Sequence, residues 1–549
     1  MSGFDESFDF VVVGSGGGSM CAALVLRAAG KSVLIVEKAD LVGGTTATAG
    51  GVMWIPNNRF MKSEGIPDSR EQAIAYLDAV VGDNPNMPGA TRERRVAYVD
   101  EAPKMLDFLV DNGIKLRRIP AWPDYYNAPG ESVPGRAVVS ELFDLNLLGE
   151  WKAKLRAGFL AMPANLDEAL LLPLMKRLPA AKKVLAKVAG RIILDRLTGK
   201  RRTTAGQALQ GQMLLAATKA GVDIRIKADV KQLIVEDARV TGILVNSNGR
   251  QSRIRARLGV LINAGGFARN QQMRDQYAPG TSADWTLVIP EDTGDLIQEA
   301  LRIGAAVAQM EERIGSQVSL PPGKPGIQPG DTGKPHSLVV DQTGVRYANE
   351  SDSTVEFCRN QLERNKKVPA VPSWMVVDSQ YMRNYMLAGT MPGLKKPPSW
   401  TEQKFLRQGN TIEELATACE IDPVSLRATV DRFNGFANKG RDDDFRRGEH
   451  IYDQWLGDPT EKHASLGAVE TGPFFAVPVY PGDVSTYGGL VTDVHARVLR
   501  EDGSVIPGLY ATGTSTASVM GAVEPGAGGS IGPAFTWGYL AAKHAVSAA

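Results

Sequence analysis

The sequence predicts an α/β fold: a parallel-sheet domain interrupted by an inserted α+β domain and carrying a helical insert. Three observations carry that expectation. Residues 8–37 read FDFVVVGSGGGSMCAALVLRAAGKSVLIVE, an apolar run, a glycine turn, a small-residue helix and a second apolar run ending at Glu37. About thirty residues in that order form a strand–turn–helix–strand unit. Far downstream, LGVLINAGGFARN reads as a buried strand (Val260–Asn263) ending in Ala264-Gly265-Gly266. Near the end, GLYATG reads as a strand delivering a glycine turn, and Gly526–Gly532 precede a helix beginning near Pro533. Both later pieces read as parts of the first domain. The residues between them are therefore an insertion.

Composition sets the outer limits. A chain of 549 residues exceeds one ordinary core, so two or more domains are expected. With 43% hydrophobic and 22% charged residues and a formal net charge of +1, it lacks the basic excess that nucleic acid requires. Cys21, Cys358 and Cys419 are too widely spaced for a disulfide framework or a metal site. The histidines are scattered, and metal catalysis is not expected. The N-terminus is polar and acidic, without the pattern of a signal peptide, and no apolar run reaches transmembrane length. A cytoplasmic location is expected.

The glycines carry the chemistry of the first domain. Gly14 allows the tight turn, and Gly16 lets backbone N–H groups approach a pyrophosphate at the helix N-terminus. Ser19 stands where the third glycine of the pattern would be and is still small enough for close packing. Glu37 can accept hydrogen bonds from both hydroxyls of an adenosine ribose. Next come Gly43-Gly44-Thr45-Thr46 and Ala49-Gly50-Gly51, too glycine-rich for a helix face and suited to backbone lying close to something flat or anionic. A nicotinamide enzyme needs only the first turn, so this second patch points to FAD and a Rossmann-like FAD-binding domain. The loop 526–532 would bring a helix N-terminus near the flavin N1–O2 locus.

In order, 70–115 reads as surface helices. IPAWPDYYNAPGESVPGR follows, with Trp122, Tyr125 and Tyr126 in a Pro/Gly-rich loop: either a loop packed on its own domain or a substrate-facing wall with a hydroxyl able to move a proton. Residues 151–200 read as a helical, basic and apolar insert, either a lid or a peripheral membrane contact giving access to an apolar substrate. ADVKQLIVEDARVTGILV reads as a hairpin turning at Glu236–Arg239. The expected boundaries are 1–275 for the first part of the FAD-binding domain, 276–472 for the α+β catalytic or cap domain, and 473–549 for the last part.

Together the blocks VVVGSGGGSM, VEK…GGTTATAGG, INAGGFARN, GVRYANES, FNGFANKGRDDDFRRG, GGLVTD, GLYATGTSTASVMG and PGAGGSIGPAFTWGYLAA resemble the fumarate reductase/succinate dehydrogenase flavoprotein superfamily. They are most similar to its 3-ketosteroid Δ1-dehydrogenase branch. The resemblance implies non-covalent FAD and dehydrogenation of a CH–CH group beside a ring ketone, with an external electron acceptor. A base removes the proton α to the carbonyl while the β carbon gives a hydride to flavin N5. It also implies FAD contacts from Gly14, Ser15, Gly16, Gly18, Ser19, Glu37, Lys38, Gly43, Gly44, Thr45, Thr46, Ala49, Gly50, Gly51, Val230, Ala264, Gly265, Gly266, Gly513, Ser530 and Ile531.

In the steroid enzymes a tyrosine after the NES motif is the base, a second tyrosine in the aromatic loop assists it, and a Tyr-Pro-Gly-x-Gly segment holds the ketone. Tyr125 matches the aromatic-loop tyrosine, with Tyr126 beside it. The base position, five residues after Asn349, is Thr354, and the tyrosine of Tyr-Pro-Gly-x-Gly is Glu524, although Gly528 remains. A threonine hydroxyl is no base near neutral pH. An ionised Glu524 cannot donate to a ketone; it can donate if burial keeps it protonated, or it can serve as the base. The preferred reading is desaturation of a cyclic or steroid-like ketone, with Tyr125, Tyr126 or Tyr487 moving the proton and Glu524 and the Gly528 N–H addressing the carbonyl. Tyr487, directly before Gly488-Gly489, can also be a core residue. Two alternatives stand beside it: an ene-reductase running the reverse reaction, and a non-catalytic FAD-binding or redox-sensing protein. The loops STYGGL and EPGAGGS carry no arginine or histidine to clamp a dicarboxylate.

Overall fold

The computed structural model describes residues 3–323, 326–327 and 329–548. The first sheet has eight strands, and its parallel centre is Val505–Ala511, Arg250–Ile262, Glu6–Val13, Val33–Val36 and Asp223–Arg225, side by side in that order. Val11 pairs with Leu34 on one side and Val260 on the other. The two-residue side-chain period assigns alternate residues to opposite faces. Phe10, Val12, Val33 and Ile35 enter one core with the helices Gly17–Ala28, Ala205–Lys219 and Ile531–Ser547. Val11, Val13, Leu34 and Val36 enter another with the hairpin Ala228–Glu236/Arg239–Ser247. Both faces are covered, which is why these strands read as unbroken apolar runs rather than alternating ones.

The helices Gly17–Ala28 and Ile531–Ser547 pack at backbone contact. A Cβ on Gly18 would stand 2.5 Å from the Ala534 carbonyl oxygen, and one on Gly538 would stand 2.4 Å from that of Gly18. The first and last helices of the chain are thus locked together beside the glycine turn.

The inserted region builds a second, antiparallel sheet of six strands. Its long central strand is Phe474–Thr486, which pairs with Arg313–Ser319, Ser373–Val377 and Arg407–Gly409. The boundary expected at 473 is therefore displaced: the chain completes the second sheet before it rejoins the first at Arg497–Leu499 and Val505–Ala511. The composition change at 472 marks a turn, not the end of the insertion.

The 151–200 region is less uniformly helical than its sequence suggests. It contains helices Leu166–Leu171 and Pro179–Thr198 joined by short 3-10 turns, after an irregular stretch. One side is anchored: Leu174 joins a core of the inserted region, and Arg177 pairs with Asp458 at 2.9 Å and with Glu461. The other side leaves Leu185, Ile193, Leu194 and Leu197 exposed. No helix among the described residues is long and apolar enough to cross a membrane.

Candidate active site

Three helix N-termini converge on one cavity. The helices starting at Gly17, Gly44 and Ile531 all lack a side-chain cap, and Gly16, Gly17, Gly44, Thr45, Ser530 and Ile531 line the cavity. Uncapped first-turn N–H groups with the positive end of the helix dipole form an anion site. The glycine-rich segment after Glu37 nevertheless folds as a one-turn helix, Gly44–Thr48, where an open turn was expected. Gly43 starts it with φ 110°, and the Gly43 N–H donates to Ser15 Oγ at 2.9 Å.

Glu37 lines the same cavity. Its carboxylate accepts from Ser15 N at 3.1 Å, Ser15 Oγ at 2.6 Å and Ala39 N at 3.0 Å. A carboxylate offers about four acceptor sites, so the bonds that fix its orientation leave room for a ribose hydroxyl. Lys38 sits at the rim, paired with Asp295 at 2.7 Å. Gly14, Ser15, Thr46, Ala49, Val230, Ala264, Gly265 and Gly513 complete the expected wall. Gly14 has φ 95°, and a Cβ there would meet the Asn263 carbonyl oxygen at 2.2 Å, so no other residue fits.

Other positions expected at the cofactor are set against the chain itself. Besides Gly18 and Gly43, Gly51 abuts Gly206 N at 2.6 Å and Gly266 abuts Thr486 Oγ1 at 2.0 Å, measured from the Cβ each lacks. Gly50 meets only Val52 and Leu166, and Ser19 accepts from Asn263 Nδ2 at 2.8 Å. None of these six lines the cavity. Asn263, Asp229 and Asp292 do line it, unanticipated from the sequence. Asp292 is buried, accepts from the N–H groups of Gly266 and Ala268, and is pushed up to about 6 by burial. Only the strand ending in INAGG hinted at any of them.

A second cluster is built of phenols and carboxyls. The aromatic loop is ordered by Asp124, which accepts from Trp54 Nε1 at 2.8 Å and Ser132 N at 2.9 Å and pairs with Arg136. That loop presents Tyr125 and Tyr126 toward the segment 522–525, whose carbonyls are pinned one after another. Ala522 O accepts from Arg359 Nη2 at 2.6 Å, Val523 O from the Tyr487 hydroxyl at 2.9 Å, and Pro525 O from the Tyr76 hydroxyl at 2.6 Å and Tyr125 N at 3.0 Å. Glu524 stands on this fixed segment with no hydrogen bond to its carboxyl among the described residues. It is half-buried, and burial pushes its carboxyl up to about 7. Tyr487 is a buried residue that holds the segment, its hydroxyl already donated.

Gly528 follows with φ 96°, and a Cβ there would meet the Val52 carbonyl oxygen at 2.5 Å. No hydrogen bond engages its N–H among the described residues. The Tyr125 ring touches that of Tyr452 at 4.1 Å, and Trp122 stacks on Trp455 at 4.8 Å. Tyr452 and Trp455 come from the helix Ile451–Leu456, and nothing in their local sequence marked them. Thr354 opens the helix Thr354–Asn365, and the Tyr126 hydroxyl lies 3.1 Å from Ser353 Oγ, the cap of that helix. Burial raises all four phenols, Tyr125, Tyr126, Tyr452 and Tyr487, above their ordinary value.

The fold and these two adjoining sites define a flavin-dependent dehydrogenase. Comparison with known proteins agrees. Residues 9–531 match the family described as FAD binding domain. The chain is 38% identical to a 3-oxosteroid 1-dehydrogenase of Mycolicibacterium smegmatis, covering 98% of this chain and 97% of that protein. It is 33% identical to a 4-oxocyclohexanecarboxylate 2-dehydrogenase of Sinomonas cyclohexanicum, covering 98% and 92%. The crystal structure of 3-ketosteroid Δ1-dehydrogenase from Sterolibacterium denitrificans with 1,4-androstadiene-3,17-dione superimposes with a TM-score of 0.92 at 36% identity, covering 99% and 100%. The chain belongs to the FAD-binding domain family and, within it, to the 3-oxosteroid 1-dehydrogenase group. It is an FAD-dependent enzyme that introduces a carbon–carbon double bond next to a ketone.

Proposed function

We propose that the substrate is a cyclic or steroid-like ketone and that Glu524, as a neutral acid, holds its carbonyl together with the Gly528 N–H. The observation that carries this reading is the unpaired Glu524 carboxyl on a segment whose neighbouring carbonyls are all pinned. Even half-buried, a carboxyl withdrawn from water without a partner carries a desolvation cost, which fits a group kept for something it will meet. Protonated, it donates to the carbonyl oxygen and stabilises the negative charge that develops there when the α proton leaves.

FAD, when bound, supplies the acceptor of the hydride from the β carbon and passes electrons to an external acceptor. The residues that would hold it are the uncapped N-termini at Gly16–Gly17, Gly44–Thr45 and Ser530–Ile531 for its phosphates, and Glu37 for its ribose. No cysteine, histidine or tyrosine lines that cavity among the described residues, which supports non-covalent binding. Tyr126 replaces the phenol absent at Thr354: its hydroxyl reaches the residue beside that position from the opposite wall. Tyr125, Tyr452, Trp122 and Trp455 form the apolar wall on which a ring substrate lies and from which water is excluded.

Anaerobic mixing of the holoenzyme with cyclohexanone, a saturated 3-ketosteroid and fumarate in turn tests this reading. Flavin bleaching by a saturated ketone is the expected result. Reoxidation of the reduced enzyme by fumarate, with no bleaching by either ketone, would overturn it in favour of an ene-reductase, and silence toward all three would favour the non-catalytic alternative.

The exposed side chains Leu185, Ile193, Leu194 and Leu197 stand among Lys182, Lys183, Lys187, Arg196 and Lys200 on or just beyond one helix. That face supports peripheral contact with an anionic lipid surface. On the anchored side, Leu166 packs in the cluster that holds Tyr125 and Tyr452, so the insert joins the lipid face to the substrate wall.

A further inference from the structure

Each turnover removes a proton into a buried site, and that proton has to reach water. Two tyrosines near Glu524 end in dead ends: Tyr487 donates to Val523 O and Tyr76 to Pro525 O. Tyr125 and Tyr452 address each other. Tyr126 is different. Its hydroxyl hydrogen-bonds Ser353 Oγ at 3.1 Å and donates to Glu356 Oε1 at 3.4 Å. Glu356 is 24% exposed, so it joins the partly buried Tyr126 phenol to solvent. Arg359 Nη1 grips the same Oε1 at 2.8 Å, while Arg359 Nη2 holds Ala522 O at 2.6 Å. One guanidinium therefore fixes both Glu356 and the segment that presents Glu524.

Resting on the function proposed above, we infer that Tyr126 and Glu356 form the proton exit of this enzyme. As the α C–H bond breaks, its electron pair stays with the enolate held at Glu524 and Gly528, and its proton goes to the Tyr126 oxygen. In the same step the Tyr126 O–H bond breaks and that proton goes to the Glu356 carboxylate. Glu356 then releases it to water and the phenol is left as it began. The electrostatics require a hand-over of this kind. Glu356 and Asp352 face Tyr126 with negative charge and Arg359 with positive charge, and burial opposes a standing phenolate. Glu312 is the other carboxylate on Arg359, and Asp453 and His450 lie beyond Asp352. A phenol that cannot rest ionised can still act as a base if its own proton leaves as the new one arrives.

The test uses the holoenzyme and its Glu356→Gln variant, mixed anaerobically with a saturated ketone in the presence of a pH-indicator dye. Proton release and turnover are both expected to fall by about tenfold or more, with the flavin spectrum and KM unchanged. Formate or imidazole is expected to restore them as its concentration rises. Glu356→Asp, which keeps a carboxylate opposite Arg359, is expected to retain proton release without added buffer. Wild-type proton release in Glu356→Gln, equal losses in the Gln and Asp variants, or a loss that no buffer repairs would each overturn the relay. Absence of ketone-dependent bleaching in the wild-type enzyme would instead overturn the substrate reading on which it rests.

Discussion

The two halves of the site are built by opposite means. On the cofactor side the donors are backbone N–H groups at three helix starts, and the Glu37 carboxylate is already oriented by Ser15 and Ala39. On the side proposed to take the ketone most of the groups are side chains, and the Glu524 carboxyl has no hydrogen-bond partner among the described residues. Backbone recognition tolerates little change because geometry does the selecting: at Gly14 a single added carbon meets a carbonyl oxygen. Side-chain recognition is open to replacement. In the function proposed here, Glu524 takes the place of the tyrosine that the resemblance implies, and Tyr126 reaches the residue beside Thr354. A constant cofactor and a variable substrate chemistry can therefore share one scaffold.

Breaking the cofactor half should have the largest effect. Gly14→Val is expected to abolish FAD retention, read as loss of the flavin's visible absorption in purified protein. Persistence of the yellow colour would contradict the backbone-cradle account.

The next effect falls on the ketone half alone. Glu524→Ala is expected to lower kcat by about a hundredfold to a thousandfold, the range for removing one oxyanion donor, with FAD still bound. Glu524→Gln keeps an N–H donor and should retain most of that activity. If Gln is as damaging as Ala, the carboxyl is the base and not the donor.

The same comparison has a pH signature. The Glu524 carboxyl is raised to about 7, so its donor form is present below that pH and is lost as pH rises through it. Wild-type turnover should decline above about 7, and Glu524→Gln should not share that decline. Parallel profiles for the two would remove Glu524 from the rate-determining chemistry.

Smaller still, Tyr487→Phe deletes one buried hydrogen bond and should cost about 1 kcal/mol of stability in denaturant titration, while a phenol essential to proton transfer would instead cost orders of magnitude in turnover. The mildest change is on the insert. Leu194→Asp with Leu197→Asp should leave turnover on a soluble ketone unchanged and reduce co-sedimentation with anionic liposomes; equal sedimentation of variant and wild type would leave the exposed face without its lipid role.

How far the sequence could be read follows from where each signal resides. Periodicity is local, so the strands around Val11 and Leu34 and the glycine turn between them were legible from residues 8–37. The Glu236–Arg239 hairpin was legible too, since both its strands are adjacent in the chain. The expected boundary at 473 misses the strand Phe474–Thr486 because its partners lie at 313–319, 373–377 and 407–409, and apolar alternation does not name a partner. Glycine composition likewise showed that backbone comes close to something at Gly18, Gly51 and Gly266. It did not show that the something is another stretch of chain.

By itself, then, the sequence pointed to the cofactor: the first strand, glycine turn and acid mark a dinucleotide, and the second glycine patch after Glu37 separates FAD from a nicotinamide, because both signals lie in contiguous backbone. Tertiary structure alone decided the ketone side. Tyr126 meets Glu356 across 230 positions of chain and Tyr487 meets Val523 across 36, and Tyr452 reaches Tyr125 from a helix whose local sequence gave no signal. Proton chemistry depends on distances of a few ångströms between groups far apart in sequence, and only the folded chain sets them.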